Sequence, residues 1–176
     1  MGKSTAQGII LDTCSAIWDC LSPTELKEPT REDWIRIEEG FNNKWNFANC
    51  IRALDGKHIQ IQAPPKSASL FYNYKGYFSL VLMALVDADY KFTYVDIGDY
   101  GSNADGSVFK RSEFGQAFMN DELNIPGPKQ LPNFPEGGVL PHVIVADEAF
   151  PQRCDLMKPH SRSKQRLTKE QQIFNY

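Results

Sequence analysis

Residues Asn49–Pro64, NCIRALDGKHIQIQAP, hold one acid, Asp55, inside a run that otherwise has the pattern of a β-strand. Ile59 and Ile61 alternate with polar residues, which is the two-residue period of a strand with one buried face. Asp55-Gly56 between two apolar runs is also the commonest two-residue hairpin turn, because both residue types tolerate positive φ. The stretch alone therefore supports two interpretations of Asp55, a turn residue and an acid held on a strand.

Two helices are predicted before this stretch and two strands after it. Helical spacing of apolar residues predicts an amphipathic helix that is capped by Ser4 or Thr5, runs to about Leu21 and is stopped by Ser22-Pro23. Pro29-Thr30 opens a second helix that ends near Gly40. Residues 77–87 (YFSLVLMALVD) and 91–98 (KFTYVDIG) are apolar strand segments joined by a tight connection. With the opening stretch they predict a three-stranded meander.

A helix, a long loop and a fourth strand complete the pattern. Asp105 precedes apolar residues at helical spacing, at positions 108, 109, 114, 117 and 118. Four prolines and three glycines in Asn124–Gly138 predict an exposed loop. Val143–Ala146 is a short buried strand, and Asp147 follows it directly. Three meandering strands, a helix and a fourth strand match the ribonuclease H-like fold, an α/β architecture with a mixed sheet flanked by helices.

In that fold one acid lies on the first strand and another directly after the fourth. Asp55 and Asp147 occupy these two places. Paired carboxylates are a hard-oxygen site for Mg²⁺ or Mn²⁺, which activates water and stabilises the leaving oxygen of a phosphodiester. The order of elements therefore favours a metal site over a hairpin turn at Asp55.

The composition of the 176 residues suits one globular domain, with 41% hydrophobic residues and a net charge of −3. This charge argues against a general polyanion binder, so any affinity for nucleic acid must come from a local patch. The four cysteines lack the spacing of a disulfide framework or a zinc knuckle. No apolar run approaches the roughly 18 residues that span a bilayer, and no signal peptide is evident, so we expect an intracellular protein without a membrane segment.

Several separated blocks resemble the PIF/Harbinger-type transposases and their nuclease-like relatives. The blocks are ALDGKH (53–58), YNYKGYFS (72–79), VDIG (95–98) with GSNADG (101–106), VADEAFP (145–151) and IFNY (173–176). Their order along the chain makes the resemblance far more specific than any single motif. The resemblance implies a DDE-type nuclease domain over residues 49–176, preceded by a helical region over residues 1–48. It also implies metal-dependent cleavage of DNA phosphodiesters and a nuclear protein.

Carried over residue by residue, the resemblance assigns Asp55, Asp105 and Asp147 to the catalytic metal site, with Mg²⁺ or Mn²⁺ as the cofactor. Each acid also has a structural alternative. Asp105 stands where it could cap a helix, and Asp147 where it could cap the next turn. His58 either faces solvent or makes a hydrogen bond near the metal.

Basic residues predict the path of the DNA. Lys75 in the 72–79 block either contacts a phosphate or is a solvated turn residue. A basic segment near the C-terminal end is expected to follow the phosphate backbone, through Lys158, Arg162, Lys164 and Arg166. The resemblance further implies a Myb-like partner protein that binds DNA. It says nothing of the oligomeric state.

The last acid of the family pattern, a glutamate on a helix after the Phe-Asn-Tyr block, is absent from these 176 residues. We therefore expect a chain that is truncated before the final helix, with apolar surface left uncovered around Leu54 and Val145. A different class of function fits the same fact, namely a domesticated, non-catalytic scaffold for DNA or protein that keeps the transposase fold.

Overall fold

The computed structural model of the protein describes residues 2–161 and 166–175. Its strands are β1 (Cys50–Gln60), β2 (Ser79–Val86), β3 (Phe92–Tyr100), β4 (Lys129–Leu131), β5 (Phe134–Leu140), β6 (Val143–Ala146) and β7 (Leu156–Met157). Its helices are α1 (Lys3–Glu25), α2 (Arg31–Trp45), α3 (Asp105–Arg111), α4 (Glu113–Met119) and α5 (Lys169–Phe174).

A five-stranded mixed sheet forms the centre, in the order β3-β2-β1-β6-β7. The three strands of the meander pair antiparallel, whereas β6 pairs parallel with β1 and β7 parallel with β6. Helices flank this sheet, so the predicted α/β class with a mixed sheet is confirmed. The parallel register of β1 and β6 joins Leu54 to Ala146, and it decides where the neighbouring acids lie.

The main core lies between the sheet and the helices that cover it. Trp34 of α2, Phe109 of α3 and Phe114 of α4 pack in one cluster with Ile51 and Met83 of the sheet. Within α2, Thr30 and Asp33 form a reciprocal capping box: the Thr30 side chain accepts from the Asp33 N–H, and the Asp33 carboxylate accepts from the Thr30 N–H. The cap begins the helix so that Trp34 enters the core.

Asp55 and Gly56 are in the middle of a strand. Their register partners on β2 are Ala84 and Met83, and β1 continues without a turn to Gln60. The hairpin interpretation of the opening stretch is therefore wrong. Continuous pairing of β1 with β2 outweighs the turn preference of an isolated Asp-Gly pair.

Helix α1 departs from its predicted form in two ways. It continues through Pro23 to Glu25 instead of ending at Leu21, and the Leu26 N–H closes its last turn on the Ser22 carbonyl. Pro23 cannot donate a hydrogen bond to the carbonyl four residues before it, and the helix continues for only two residues beyond it. No residue of α1 is buried, so its apolar face packs on nothing in the described part of the chain.

The next helices also differ from their predicted bounds. α2 passes Gly40 and ends at Trp45, and its C-cap residue Asn46 adopts the left-handed conformation common at helix ends. The single helix predicted after Asp105 is two helices, because Ser112 is extended and its Oγ accepts from the Gly115 N–H. A Cβ on Gly115 would stand 1.8 Å from the Phe109 carbonyl oxygen, so the sharp junction requires glycine there.

Two further predictions about the surface are only partly right. The supposed loop Asn124–Gly138 contains most of the β4–β5 hairpin, paired from Lys129↔Leu140 to Leu131↔Phe134. Leu54 is 2% exposed and belongs to the main core, so the expected uncovered patch is absent at that residue, while Val145 is half-buried. No helix among residues 2–161 and 166–175 has the length and apolarity needed to cross a membrane.

Candidate active site

Three aspartates come from three different elements to one end of the β1–β6 ladder. Asp55 lies on β1, one residue beyond the Leu54–Ala146 pair, and Asp147 lies one residue beyond the same pair on the β6 side. Neighbouring strands are about 4.8 Å apart, so these two acids are neighbours across the parallel ladder. Asp105 is the first residue of α3.

Two glycines let Asp105 approach the other two acids. A Cβ on Gly56 would stand 2.4 Å from the Asp105 Cγ, so the Asp105 carboxyl lies directly against the β1 backbone at Gly56, the residue after Asp55. A Cβ on Gly106 would stand 2.6 Å from the carbonyl oxygen of Ala149, in the loop after Asp147. Helix α3 therefore fits between β1 and this loop because Gly56 and Gly106 have no side chains.

Asp105 does not cap its helix. The N-cap position is Ala104, and no side chain caps the first turn. The Asp105 Oδ1 is buried and has no hydrogen-bond partner in the part of the chain that the structure describes. The helix-cap interpretation of Asp105 is therefore wrong. A buried carboxylate oxygen without a hydrogen-bond partner lowers the stability of the fold, so the position of Asp105 needs another explanation.

Electrostatics agrees with the closeness of the three acids. Burial raises the pKa of the Asp105 carboxyl above its ordinary value, and the negative charges of Asp147 and Asp55 raise it further. The positive charges of His58 and Lys75 lower that pKa. The neighbours of Asp105 therefore include the two other predicted acids, and also His58 and Lys75, whose roles the sequence left open.

Asp55 and Asp147 each use one oxygen locally. The Asp147 Oδ1 accepts from the Ala149 N–H at 2.8 Å, so the predicted turn-capping role is real. The Asp55 Oδ1 accepts from the Gly56 N–H at 2.7 Å. Both hydrogen bonds lie at the exposed surface, and neither acid makes a hydrogen bond through Oδ2 within the described residues. One oxygen of each acid remains for a ligand.

His58 is more closely involved than its alternating position in the sequence suggests. Its Nδ1 lies 2.9 Å from the Ser79 Oγ, which also accepts from the Asn73 Nδ2 at 2.8 Å. The imidazole packs edge-on against Tyr74, with ring centroids 5.5 Å apart. This small network ties the turn at residues 73–77, which carries Lys75, to the strand that carries Asp55.

The predicted DNA-contacting residues fall in different places. Lys75 is exposed, and its Nζ lies 5.4 Å from the Tyr74 ring centroid. Lys158 is half-buried, and its Nζ donates to the carbonyls of Glu148 and Phe150, so it holds the loop after Asp147 in place. Arg166 is exposed at the start of the second described range, while Arg162 and Lys164 lie outside the described residues.

Oxygen donors of this kind suit Mg²⁺ or Mn²⁺, and the unpartnered Asp105 Oδ1 is the feature that fits a cation best. The side chains do not, however, form a closed coordination shell. Across residues 2–161 and 166–175, no three His, Cys, Asp or Glu side chains form a ready set of metal ligands. The cluster is one of neighbouring carboxylates whose mutual repulsion a cation would relieve.

Of the features that build this site, the sequence interpretation missed Gly56 and Gly106. Each directly follows an aspartate, in the pairs Asp55-Gly56 and Asp105-Gly106. In sequence, a glycine beside an acid indicates a turn. The repeated Asp-Gly pair is here the signal that two backbone segments approach each other closely at the acids.

Comparison with known proteins places the chain in a family. The model of the DDE superfamily endonuclease family matches residues 54–176, from the residue before Asp55 to the end of the sequence. No curated protein matches the chain, and no solved structure matches it. The matched range contains all three clustered aspartates and covers more than half of the sequence. The chain therefore belongs to the DDE superfamily endonucleases.

Proposed function

We propose that the protein is a metal-dependent nuclease domain that hydrolyses DNA phosphodiesters, with Asp55, Asp105 and Asp147 as the ligands of Mg²⁺ or Mn²⁺. The observation that carries this proposal is the placement of three aspartates at one end of the β1–β6 ladder, with one buried oxygen of Asp105 unpartnered among the described residues. A divalent cation bound there supplies an activated water and stabilises the charge on the leaving oxygen.

The protein's own residues have separate roles in this proposal. Asp55 and Asp147 each offer an oxygen to the solvent side, where a DNA strand approaches. The raised pKa keeps Asp105 protonated to a higher pH than an ordinary aspartate, so a metal ion that binds this carboxyl competes with a proton. Lys75 is positioned to neutralise a phosphate of the bound strand.

The finer assignment to the PIF/Harbinger group belongs to the same proposal and is supported by the five sequence blocks. A nuclear location and a Myb-like partner protein that binds DNA follow from that assignment. So does the division into a helical region, residues 1–48, and a nuclease domain, residues 49–176. DNA contacts by Lys158, Arg162, Lys164 and Arg166 remain part of the proposal, with Lys158 the weakest member because its ammonium group already binds two carbonyls.

Metal binding tests the site directly. We expect millimolar Mn²⁺ to raise the melting temperature, because a ligand that binds only the folded state stabilises it, by about 2.7 kcal/mol at 100 times its dissociation constant. Asp55→Asn should weaken this response. Asp96→Asn is the matched control, since Asp96 is an acid on β3 whose pKa burial also raises and which the proposal leaves outside the site.

Equal responses of the wild type and Asp55→Asn to Mn²⁺ would contradict the site. Cleavage is then measured as nicking of a supercoiled plasmid in Mn²⁺, with Asp147→Ala to exclude a contaminating nuclease. Nicking that disappears in Asp147→Ala supports the enzyme. The lack of a ready ligand set among the described residues favours one alternative, a non-catalytic scaffold, and saturable Mn²⁺ binding without any nicking would support it.

A further inference from the structure

Tyr74 is the most exposed of the large hydrophobic side chains that the structure describes, at 82%. An aromatic ring usually buries much of its surface in a fold or an interface. The edge-on contact of Tyr74 with the His58 imidazole, at 5.5 Å between ring centroids, leaves most of the tyrosine ring in water. A single exposed ring is common on protein surfaces, so its meaning depends on how the ring is held and on its neighbours.

The turn that carries Tyr74 is built around one buried side chain. Asn73 is 3% exposed, and its Oδ1 accepts from the backbone N–H groups of Lys75 at 3.0 Å and Tyr77 at 3.2 Å. The Asn73 backbone adds two hydrogen bonds, one donated to the Tyr77 carbonyl and one accepted from the Gly76 N–H. The backbone beneath Tyr74 is therefore fixed before a ligand binds, which lowers the entropy cost of binding.

This turn lies beside the three aspartates of the candidate active site. His58, on which Tyr74 packs, is two residues beyond Gly56 on β1, so the two positions face the same side of the sheet. The Asp105 carboxyl occupies the place of a Cβ on Gly56, and it therefore lies on that side too. The charges of His58 and Lys75 both act on this carboxyl and lower its pKa.

Lys75 gives the ring a charged neighbour. Its Nζ lies 5.4 Å from the Tyr74 ring centroid, and its side chain is exposed and forms no salt bridge within the described residues. An aromatic ring beside a free cation suits one nucleotide of a single strand, because the base stacks on the ring and the phosphate pairs with the cation. In a paired duplex the base faces are covered by the neighbouring bases, so such a pair of residues favours unpaired nucleotides.

We propose that Tyr74 and Lys75 bind one unpaired nucleotide beside the aspartate cluster formed by Asp55, Asp105 and Asp147. The base stacks on the Tyr74 ring, and the phosphate lies at the Lys75 ammonium group. This inference rests on the proposed nuclease function and names its substrate class, which is DNA that is single-stranded or locally unpaired at the point of cleavage. A fully paired duplex is the poorer ligand.

Binding is measured with three DNA probes of one sequence: a single strand, a fully paired duplex and a duplex with one unpaired base. 2-Aminopurine takes the place of that base, because its fluorescence falls when it stacks on an aromatic ring. Ca²⁺ replaces Mn²⁺ in these measurements, to limit cleavage. We expect the wild type to quench the two probes that offer an unpaired base and to bind them more tightly than the duplex.

Variants of the turn separate the ring from the charge. Tyr74→Leu keeps an apolar side chain without a ring, so it should abolish the quenching and weaken binding of the two unpaired probes by about 5- to 100-fold, the effect of losing one base–aromatic stack. Tyr74→Phe keeps the ring and should retain both properties. Lys75→Gln should keep the quenching and reduce the slope of log affinity against log salt by about 0.7, the value for one single-strand phosphate.

The turn between β2 and β3 provides a matched control. Tyr90 is 71% exposed, is followed by Lys91 and packs edge-on against Trp45 at 5.6 Å between ring centroids. It follows the end of β2, whereas Tyr74 precedes the start of that strand. Tyr90→Leu should therefore leave affinity and quenching unchanged.

The possible results distinguish this inference from the proposed function. Nicking by the wild type together with equal affinity for all three probes, or with unchanged quenching in Tyr74→Leu, would overturn the nucleotide site and leave the nuclease standing. Equal losses of binding in Tyr74→Leu and Tyr90→Leu would also overturn the site, because any exposed tyrosine would then serve. A wild type that binds none of the probes and nicks no plasmid would overturn both proposals.

Discussion

Gly56 is the residue on which the aspartate cluster depends most directly. Any side chain at this position would collide with Asp105, whose Cγ and two carboxylate oxygens lie 2.4–2.7 Å from the place of a Cβ. Contacts as short as these force one group to move. Since Gly56 is held in the middle of β1 by its pairing with Met83, Asp105 is the group that would be displaced.

We therefore expect Gly56→Ala to remove the Mn²⁺-induced rise in melting temperature while leaving most of the fold intact. Gly127→Ala is the matched control, because a Cβ at Gly127 meets no atom within 4 Å. Thermal denaturation with and without Mn²⁺ measures both variants. A Gly56→Ala protein that keeps the full Mn²⁺ response would show that Asp105 is not a ligand.

Among the helices, α2 and α5 begin with the same capping motif, but they differ in how many of their residues are buried. Both have a capping box, Thr30 with Asp33 in α2 and Thr168 with Gln171 in α5. Helix α2 buries Trp34 and Phe41, whereas α5 buries no residue in the described ranges. A cap contributes to global stability only where its helix unfolds together with the core.

The α2 cap predicts a dependence of stability on pH. Hydrogen bonds from the Thr30 backbone and side chain lower the pKa of Asp33 from 3.8 to about 2. The folded value lies below the unfolded one, so the stabilisation is complete above pH 3.8 and is lost as the pH falls towards about 2. Asp33→Asn should therefore be less stable than the wild type near neutral pH, and the difference should shrink across this window.

Urea denaturation at several pH values measures the effect. Glu170→Gln is the control, because backbone and side-chain hydrogen bonds also lower the pKa of Glu170 but α5 buries no residue in the part of the chain described. Its midpoint should match that of the wild type throughout. A constant difference between Asp33→Asn and the wild type, from neutral pH down to the acid end of the window, would show that the carboxylate charge is not what the cap uses.

For the whole molecule, the contrast between α1 and the rest of the chain is the main feature of packing. Trp18 of α1 is 51% exposed, whereas Trp34 of α2 is 1% exposed and lies in the main core. We expect Trp34→Ala to cost about 3–5 kcal/mol of unfolding free energy, as buried aromatic residues do. Trp18→Ala should change it by no more than about 0.5 kcal/mol.

Chemical denaturation of the two variants gives both values under the same conditions. A large loss of stability in Trp18→Ala would mean that α1 packs on the body or on another copy of the chain in solution. The described contacts give α1 no such partner.

The sequence predicts the meander β1-β2-β3, the later strand β6 and the places of the three aspartates, because these depend on local pattern and topology. Periodicity locates β2 and β6, and the helical connection before β6 allows it to pair parallel with β1. The break at Ser112, the passage of α2 beyond Gly40 and the β4–β5 pairing depend on contacts between distant segments. The burial of Arg52 on β1, at 1% exposure, is also invisible in sequence, since nothing local shows that a strand arginine enters the core.

The pairing of Leu54 with Ala146 has a consequence for how the chain acquires its site. The two residues are far apart along the sequence. The entropy cost of closing so long a loop arises before their contact can stabilise the chain. The meander β1-β2-β3 needs shorter connections and can assemble first. Asp55 then has no neighbouring Asp147 until β6 arrives, so the aspartate cluster should be among the last features to form during synthesis and refolding, and a chain that ends before β6 would have no such cluster.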